Sequence, residues 1–230
     1  MLLVRSALDS AMNRARFVLL GGCLLAFLAA SLNTAFMVRL GTSVSHLTGD
    51  VSRFAIDLSS AGSEPRTAVS FLAAALTGFV AGAMLSGALI HHPRLELSRP
   101  YGRSIAGIGV LLLGANQLLP RSEVGAVALA ATACGYQNAL ATHFRGVILR
   151  TTHVTGLLTD LGVMLGMRLR GHSVDSFKIG APACLVLAFF LGALAGAFAS
   201  THFGTDVFLV IGLAYLAGGL GWTVLKRTMF

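Results

Sequence analysis

The chain has 230 residues, of which 55% are hydrophobic and only 11% are charged, and its mean hydropathy is +0.79. Soluble domains carry about 25% charged residues, so this composition excludes an ordinary water-soluble domain and predicts an integral membrane protein. The formal net charge of +8 does not indicate a nucleic-acid partner, because the basic residues are spread over short loops and form no basic stripe.

The first segment, residues 1–16, is basic and carries Arg5, Arg14 and Arg16. The apolar run after it is longer than the ~7–15 residues of a signal-peptide core, so we expect a retained first span. Residues 1–16 would then form an amphipathic cytoplasmic lead. This predicts a multi-pass protein of the cell inner membrane with both termini in the cytoplasm.

Six apolar runs approach the length of about 20 residues that a helix needs to cross a bilayer. They are continuous and rich in Ala, Leu and Gly, as packed membrane helices are, whereas transmembrane strands alternate apolar and polar residues. The runs cover residues 17–38, 69–90, 105–119, 124–140, 179–199 and 207–225. The sequence therefore predicts an all-α membrane protein with six long transmembrane helices.

A short polar motif follows the first run and occurs again after the fourth. It reads SHLTGD at residues 45–50 and THVTGLLTD at residues 152–160. In the first copy His46, Asp50 and Arg53 are spaced to share one face of a helix. A helix of about 15 residues is too short to cross ~30 Å of hydrocarbon. Each copy therefore predicts a half-helix.

The sequence around the motif is repeated as well. SLNTAFMVRLG at residues 31–41 resembles YQNALATHFRG at 136–146, and LTGFVAGAMLSG at 76–87 resembles FLGALAGAFAS at 190–200. The matched order predicts two internal repeats, residues 17–119 and 120–230, within one membrane domain.

Loop charges help to choose between two topologies. With six spans, thirteen of the 17 Lys and Arg residues lie on the cytoplasmic side. With eight spans the division is ten to six, and Arg53 lies inside the membrane. The positive-inside rule favours six spans, which makes the two repeats inverted. Eight spans with parallel repeats is the alternative.

Two half-helix N-termini that converge would form a binding site, because helix N-termini present unpaired N–H groups and a partial positive charge. In this interpretation the hydroxyl groups are donors, the histidines titrate and the glycines allow close approach. The candidate substrate-binding residues are Ser45, His46, Thr48, Gly49, Thr152, His153, Thr155 and Gly156. The alternative is that Ser and Thr only cap the short helices and Gly only permits packing.

Arg53 and Asp160 occupy matched positions in the two motifs and carry opposite charges. We expect a cross-repeat charge pair or a role in proton coupling, since ionisable residues inside membranes often mark a pathway. Asp50 is a further candidate, because it can pair with Arg53 three residues later. The alternatives are a purely structural pair, or an Arg53 that extends to interfacial water.

No HExxH, GxSxG, P-loop or dinucleotide-binding glycine pattern occurs, so we expect no enzyme activity and neither a metal nor another cofactor. The sequence favours a transporter or permease for a small polar solute, with an anion suited to the helix N-termini. Its partners would be the lipid bilayer and the solute, and a homodimer is compatible with the small chain. The alternative is a non-transporting scaffold or partner-binding subunit in which the motifs only pack the repeats together.

The paired motifs also carry a family resemblance. HLTGD at residues 46–50 and THVTGLLTDL at 152–161, among Gly-rich spans, resemble the YoaK-like family of uncharacterised bacterial multi-pass membrane proteins. The resemblance covers almost the whole chain and implies a bacterial inner-membrane location without a substrate. This sequence differs from the family pattern at Asp50, where Asn is common, and at Asn33, where the family has Asp.

Overall fold

A computed structural model describes residues 2–59, 65–90, 100–140, 143–144, 147–204 and 206–229. These residues form eight α-helices and one short antiparallel hairpin. The helices are α1 (Leu2–Leu40), α2 (Leu47–Ser59), α3 (Pro65–Leu89), α4 (Tyr101–Leu118), α5 (Glu123–Ala139), α6 (Val154–Leu169), α7 (Ser176–Phe203) and α8 (Asp206–Met229). The hairpin pairs β1 (His143–Phe144) with β2 (Val147–Ile148). The prediction of a helical membrane protein is confirmed.

Among the described residues, four helices are long and apolar enough to cross a membrane. The spans are Ala15–Leu40 in α1, Ala68–Leu89 in α3, Ser176–Phe203 in α7 and Asp206–Lys226 in α8. The helices α4 and α5 are shorter, with 18 and 17 residues, and both contribute heavily to the buried core. The helix α1 is unbroken from residue 2, so the basic lead continues directly into the first span.

Close packing of small residues holds α3 against α5. Gly78 lies against the backbone of Ala128, and one turn later Gly82 lies against the backbone of Thr132. The contact positions advance together along both helices, so α3 and α5 run parallel. A side chain at either glycine would overlap a backbone carbonyl, so glycine allows this approach.

The helices α1 and α7 pack in the same way. Gly192 lies against Phe27 and Gly196 against Ser31, so these two helices also run parallel. The Ser31 hydroxyl donates a hydrogen bond to the Gly192 carbonyl at 2.8 Å. The Gly192 carbonyl oxygen has a second lone pair besides the one used within its own helix, and the close approach of α1 lets Ser31 donate to it.

The pairing of α4 with α8 has the opposite sense. Gly102 near the start of α4 contacts Gly219 near the end of α8, whereas Gly109 contacts Gly212 and Leu216. As the residue number increases along α4, the residue number of its contact in α8 decreases. These two helices are antiparallel.

The main apolar core fills one half of the bundle. It lies among the C-terminal ends of α1 and α4, the N-terminal halves of α3 and α8 and most of α5. Phe36 packs there on Phe208 with ring centroids 4.7 Å apart. A smaller cluster surrounds Leu185 and includes Val147 and Leu157. One half of the bundle therefore holds a large apolar core and the other a smaller apolar cluster.

The motif-bearing helices lie at the outside of the bundle. The helix α2 packs against α3, and α6 packs against α7. Leu157 is the buried residue of α6, and none of the described residues of α2 is buried. Both half-helices therefore present most of their surface away from the core.

Candidate functional site

Asn33, near the end of α1, fixes the chain that leads into the first motif. Its side-chain oxygen accepts hydrogen bonds from the backbone N–H groups of Val44 and Ser45 and from the Ser45 hydroxyl, each at 3.0 Å. The Asn33 side chain is buried. The predicted binding hydroxyl of Ser45 is therefore engaged in holding the motif to its own span.

Asn138 makes the equivalent contact at the second motif. Its side-chain oxygen accepts a hydrogen bond from the hydroxyl of the buried Thr152 at 2.9 Å. In each copy, an amide near the end of a span thus binds the hydroxyl residue just before the histidine. These bonds tie each span to the motif that follows it.

Gln137 connects the second motif to the centre of the bundle. Its amide nitrogen donates to the Thr151 hydroxyl at 2.8 Å and to the Leu25 carbonyl at 3.1 Å. Its oxygen accepts a hydrogen bond from the Tyr215 hydroxyl. Thr151 and Tyr215 were not among the predicted site residues. Their polar side chains, in a chain with few polar residues inside its apolar runs, were the feature that could have indicated them.

His46 is half-buried immediately before α2. Its Nε2 atom is buried and has no hydrogen-bond partner among the described residues, and its ring edge meets Phe189 at a centroid distance of 5.2 Å. Burial lowers the pKa of His46; Asp50 opposes this shift, and the charge of His153 adds to it. Burial therefore favours the neutral form of His46, and its Nε2 atom is unused.

His153 is the N-cap residue of α6 and is exposed. Its Nδ1 atom lies 3.1 Å from Nη1 of Arg150. The charge of His153 contributes to the lowered pKa of His46. That the starts of α2 and α6 form one binding site stays a prediction.

Asp50 accepts hydrogen bonds from the segment just before its own helix. It accepts hydrogen bonds from the backbone N–H of Ser43, at 3.3 Å, and from the Ser43 hydroxyl. Arg53 and Asp160 are both exposed, and in the described part of the chain no ion pair joins them. The structure therefore does not bring the two charges together, and their role in proton coupling stays a prediction.

The remaining candidate residues lie in the first turns of the half-helices. Thr48, Gly49 and Thr155 are exposed, and Gly156 is half-buried. Gly156 lies beneath the His153 ring, since a Cβ there would be 2.6 Å from the His153 Nδ1 atom. No cluster of three or more metal-ligand side chains occurs among the described residues.

A cavity of about 470 Å³ lies between α1, α4 and α8 and ends near Gln137 and Thr151. Its walls are almost entirely apolar. None of the eight predicted substrate-binding residues lines this cavity. The cavity therefore meets the second motif only at Thr151, to which Gln137 donates a hydrogen bond.

The comparisons with known proteins give one match. The model of a family described as "Protein of unknown function (DUF1275)" matches residues 21–221, which include both motifs and all six predicted spans except the first four residues of the first and the last four of the sixth. No curated protein and no solved structure matches the chain.

Proposed function

The chain belongs to the DUF1275 family, and from that premise we propose that it is a permease of the cell inner membrane for a small polar solute. The solute binds between the N-termini of α2 and α6, without enzymatic conversion. The observation that carries the proposal is the unpartnered, buried Nε2 atom of His46, within electrostatic reach of His153. A ligand there supplies the missing hydrogen-bond partner.

Helix directions support two inverted repeats. The helices α4 and α8 hold the same place in the two proposed repeats, and they pack antiparallel through Gly102 with Gly219 and Gly109 with Gly212. Equivalent helices run in opposite directions when the repeats are inverted. In the eight-span alternative the repeats are parallel, and α4 and α8 would run in the same direction.

Matched contacts also support the repeats. The packing of α3 on α5 corresponds to that of α7 on α1, with a glycine four residues after the first in each pair. The bond of Asn33 to Ser45 corresponds to that of Asn138 to Thr152. The glycine spacing is common at membrane helix interfaces, so the amide–hydroxyl bond shared by the two motifs is the more specific support.

The topology that follows has six spans and two half-helices. The helix α2 enters the membrane from the outer side and α6 from the cytoplasmic side, and their N-termini meet between them. Both chain termini then lie in the cytoplasm, and most basic residues lie on that side. Unpaired N–H groups and the partial positive charge at both N-termini favour an anion, or the negative end of a polar solute.

Uptake into proteoliposomes tests this function. The purified full chain is assayed with a panel of labelled small anions, amino acids and polyols, and then as the variants His46→Gln, Thr48→Val and Thr155→Val. We expect uptake of at least one solute, and a fall of about tenfold or more in the variants, since a hydrogen bond to a charged group contributes about 1.5–3 kcal/mol.

Thr159→Val is the matched control. Thr159 is exposed on α6 one turn after Thr155, and its hydroxyl donates only to the Thr155 carbonyl, at 2.9 Å. This variant should retain wild-type uptake. Uptake that is unchanged in His46→Gln, Thr48→Val and Thr155→Val would remove the motifs from the transport path and contradict the proposal.

A second candidate function is a non-transporting scaffold or partner-binding subunit. One observation favours it: Ser45 and Thr152 are engaged by Asn33 and Asn138, so part of the motif serves to hold the repeats together. The exposed faces of α2 and α6 would then meet another protein or a second copy. Absence of uptake across the panel, with a stable complex isolated from membranes, would favour this function over transport.

A further inference from the structure

Two grooves of similar size lie at matched places on the surface of the bundle. The first, of about 410 Å³, lies between α3, α4 and α5, and the second, of about 400 Å³, lies between α1, α7 and α8. Both volumes fall within the roughly 300–1,000 Å³ of small-molecule sites. In the proposed repeats α3 corresponds to α7, α4 to α8 and α5 to α1, so the two grooves occupy equivalent positions.

The residues that line the two grooves have the same spacing. Leu85 and Leu89 of α3 line the first groove, and Ala199 and Phe203 of α7 line the second. The helices α4 and α8 each contribute five residues with identical spacing. These are Arg103, Ser104, Gly107, Ile108 and Leu111 in the first groove, and Asp206, Val207, Val210, Ile211 and Ala214 in the second. The grooves can therefore be compared position by position.

One matched position carries opposite charges in the two grooves. It is Arg103 in the first groove and Asp206 in the second, and both residues are exposed. No other charged residue lines either groove in the described part of the chain. No described residue forms an ion pair with the Arg103 guanidinium either. The two grooves therefore differ chiefly in the sign of one charge.

The first groove has the length of one membrane leaflet. From Pro100 to Leu111 along α4 it spans about 16 Å at 1.5 Å per residue. Half of the hydrocarbon thickness of a bilayer is about 15 Å. Leu85 and Leu89 are 44% and 65% exposed, so the groove is open on the side that faces lipid. A bilayer lipid can therefore place its headgroup beside Arg103 and a chain against the leucines.

The charge of Arg103 selects the headgroup. A guanidinium presents its N–H donors in a fork that matches phosphate, and it stays charged. A zwitterionic headgroup carries its own cation, whereas an anionic headgroup leaves its charge for Arg103. Lys226 adds a second cation at this end, since it follows Thr223, which lies against Gly102 at the start of α4. The proposed topology places this end in the cytoplasmic leaflet, which carries the anionic lipids of cell membranes.

We propose that the groove between α3, α4 and α5 binds an anionic phospholipid, with the headgroup phosphate on Arg103 and an acyl chain along Leu85, Leu89 and Leu111. The second groove, with Asp206 at the matched position, has no preference for an anionic lipid. The lipid site is separate from the motifs, and it stands whether or not the chain transports a polar solute through them.

Quenching by brominated lipids measures this preference. In the full-length chain Trp222, the one tryptophan, is replaced as Trp222→Phe, and Leu89→Trp supplies a reporter in the groove. The protein is reconstituted in mixtures of phosphatidylglycerol and phosphatidylcholine in which one or the other lipid is brominated. We expect the groove to bind phosphatidylglycerol about fivefold more strongly, which corresponds to about 1 kcal/mol for one cation near an anionic lipid.

Two arginine variants separate the groove from the charge of this end of the bundle. Arg103→Gln should abolish the preference. Arg16→Gln is the matched control, because Arg16 is exposed and lies outside the groove lining. It lies at the same end, since it precedes Phe17, whose ring stacks on Trp222, and Trp222 lies against Gly102. Arg16→Gln should retain the preference.

The second groove supplies an internal comparison. Phe203→Trp places the reporter at the position that matches Leu89. This reporter should show no preference for phosphatidylglycerol. In the same background Asp206→Arg should create a preference of about fivefold.

The proposal would be overturned by equal binding of the two lipids at the Leu89→Trp reporter, or by a preference that survives Arg103→Gln. A preference that Arg16→Gln also removes, or that the Phe203→Trp reporter shares, would assign it to general surface charge and would overturn the proposal as well. The same holds if Asp206→Arg creates no preference. Absence of quenching by both lipids would show that the first groove is closed to the bilayer, and this too would overturn it.

Discussion

At the scale of single residues, the amide of Asn33 determines how the first motif begins. Its oxygen serves three donors at once, two of them backbone N–H groups of Val44 and Ser45. Val44 is fully buried, so its N–H group has no water to replace this bond. The position of His46 therefore depends on one buried acceptor in the preceding span.

Replacing Asn33 should destabilise the protein. Asn33→Leu leaves two backbone N–H groups without an acceptor, at a cost of about 1–3 kcal/mol for each buried group. We expect a lower midpoint of thermal unfolding in detergent. Asn33→Asp is the control, because a carboxyl oxygen can accept the same three bonds. Its midpoint should fall less than that of Asn33→Leu, although burial of a carboxylate has its own cost. If both variants lower the unfolding midpoint equally, loss of the hydrogen-bond acceptor does not explain the destabilisation.

His46 should make stability depend on pH. Burial lowers its pKa below the ordinary value of about 6.5, with Asp50 opposing and His153 reinforcing the shift. The unfolded chain thus binds this proton more readily than the folded protein. The contribution of His46 to stability is therefore complete above about pH 6.5 and is lost as the pH falls through its folded pKa.

Thermal unfolding measured between about pH 7.5 and pH 5 checks this. His46→Gln removes the titrating group, so its midpoint should fall less on acidification than the wild-type midpoint does. An acid-induced fall of the same size in both proteins would contradict the role given to His46.

Several contacts of these residues could not be predicted from the sequence. The matched Asn and hydroxyl positions were visible in the repeat, but the bonds of Gln137 to Thr151 and Tyr215 join residues up to 78 positions apart. The expected pair of Arg53 and Asp160 assumed that matched positions meet at the symmetry axis. Both side chains are exposed, and no ion pair joins them among the described residues.

At the scale of the helices, glycine decides which pairs pack closely. Lipid offers no hydrophobic force to bring helices together, so close backbone contact and good packing must do so. Gly82 is the tightest case, because a Cβ there would overlap the Thr132 carbonyl and crowd the Tyr136 amide. Both obstacles are backbone atoms, which cannot move aside as a side chain can.

Gly82→Leu should therefore force α3 away from α5. Overpacking costs about 1–3 kcal/mol and occasionally more, and backbone atoms that cannot move aside favour the upper end. We expect less folded protein on size-exclusion chromatography in detergent. Gly87→Leu, also in α3, is the matched control, since a Cβ there meets nothing within 4 Å. If Gly82→Leu behaves like Gly87→Leu, α3 and α5 do not pack as described.

The helices themselves were largely predictable, because continuous apolar runs in lipid have few alternatives to helix. The short half-helices were visible through their polar faces. The hairpin of β1 and β2 was not predicted, since strands of two residues give no periodic pattern. The continuity of α1 was missed because its basic lead differs from the span in composition but not in backbone conformation.

At the scale of the whole molecule, the two halves share helix contacts but differ in filling. One half holds the core around Phe36 and Phe208, and the other holds the cavity beside Trp222. In an inverted-repeat permease the two halves can exchange these arrangements as access alternates between the two sides. The proposed topology places the cavity on the cytoplasmic side and the closed core on the outer side.

The proposed inverted-repeat topology requires α2 and α6 to enter the membrane from opposite sides. Ser59 ends α2 and His172 follows α6, and both are exposed. In a background without Cys23, Cys134 and Cys184, single cysteines at these two positions can be labelled in intact cells with a membrane-impermeant maleimide. Inverted repeats predict labelling of Ser59→Cys from outside, and of His172→Cys only after the membrane is opened. Protection of both positions in intact cells would place both half-helix ends in the cytoplasm, as eight spans require, and would contradict the account.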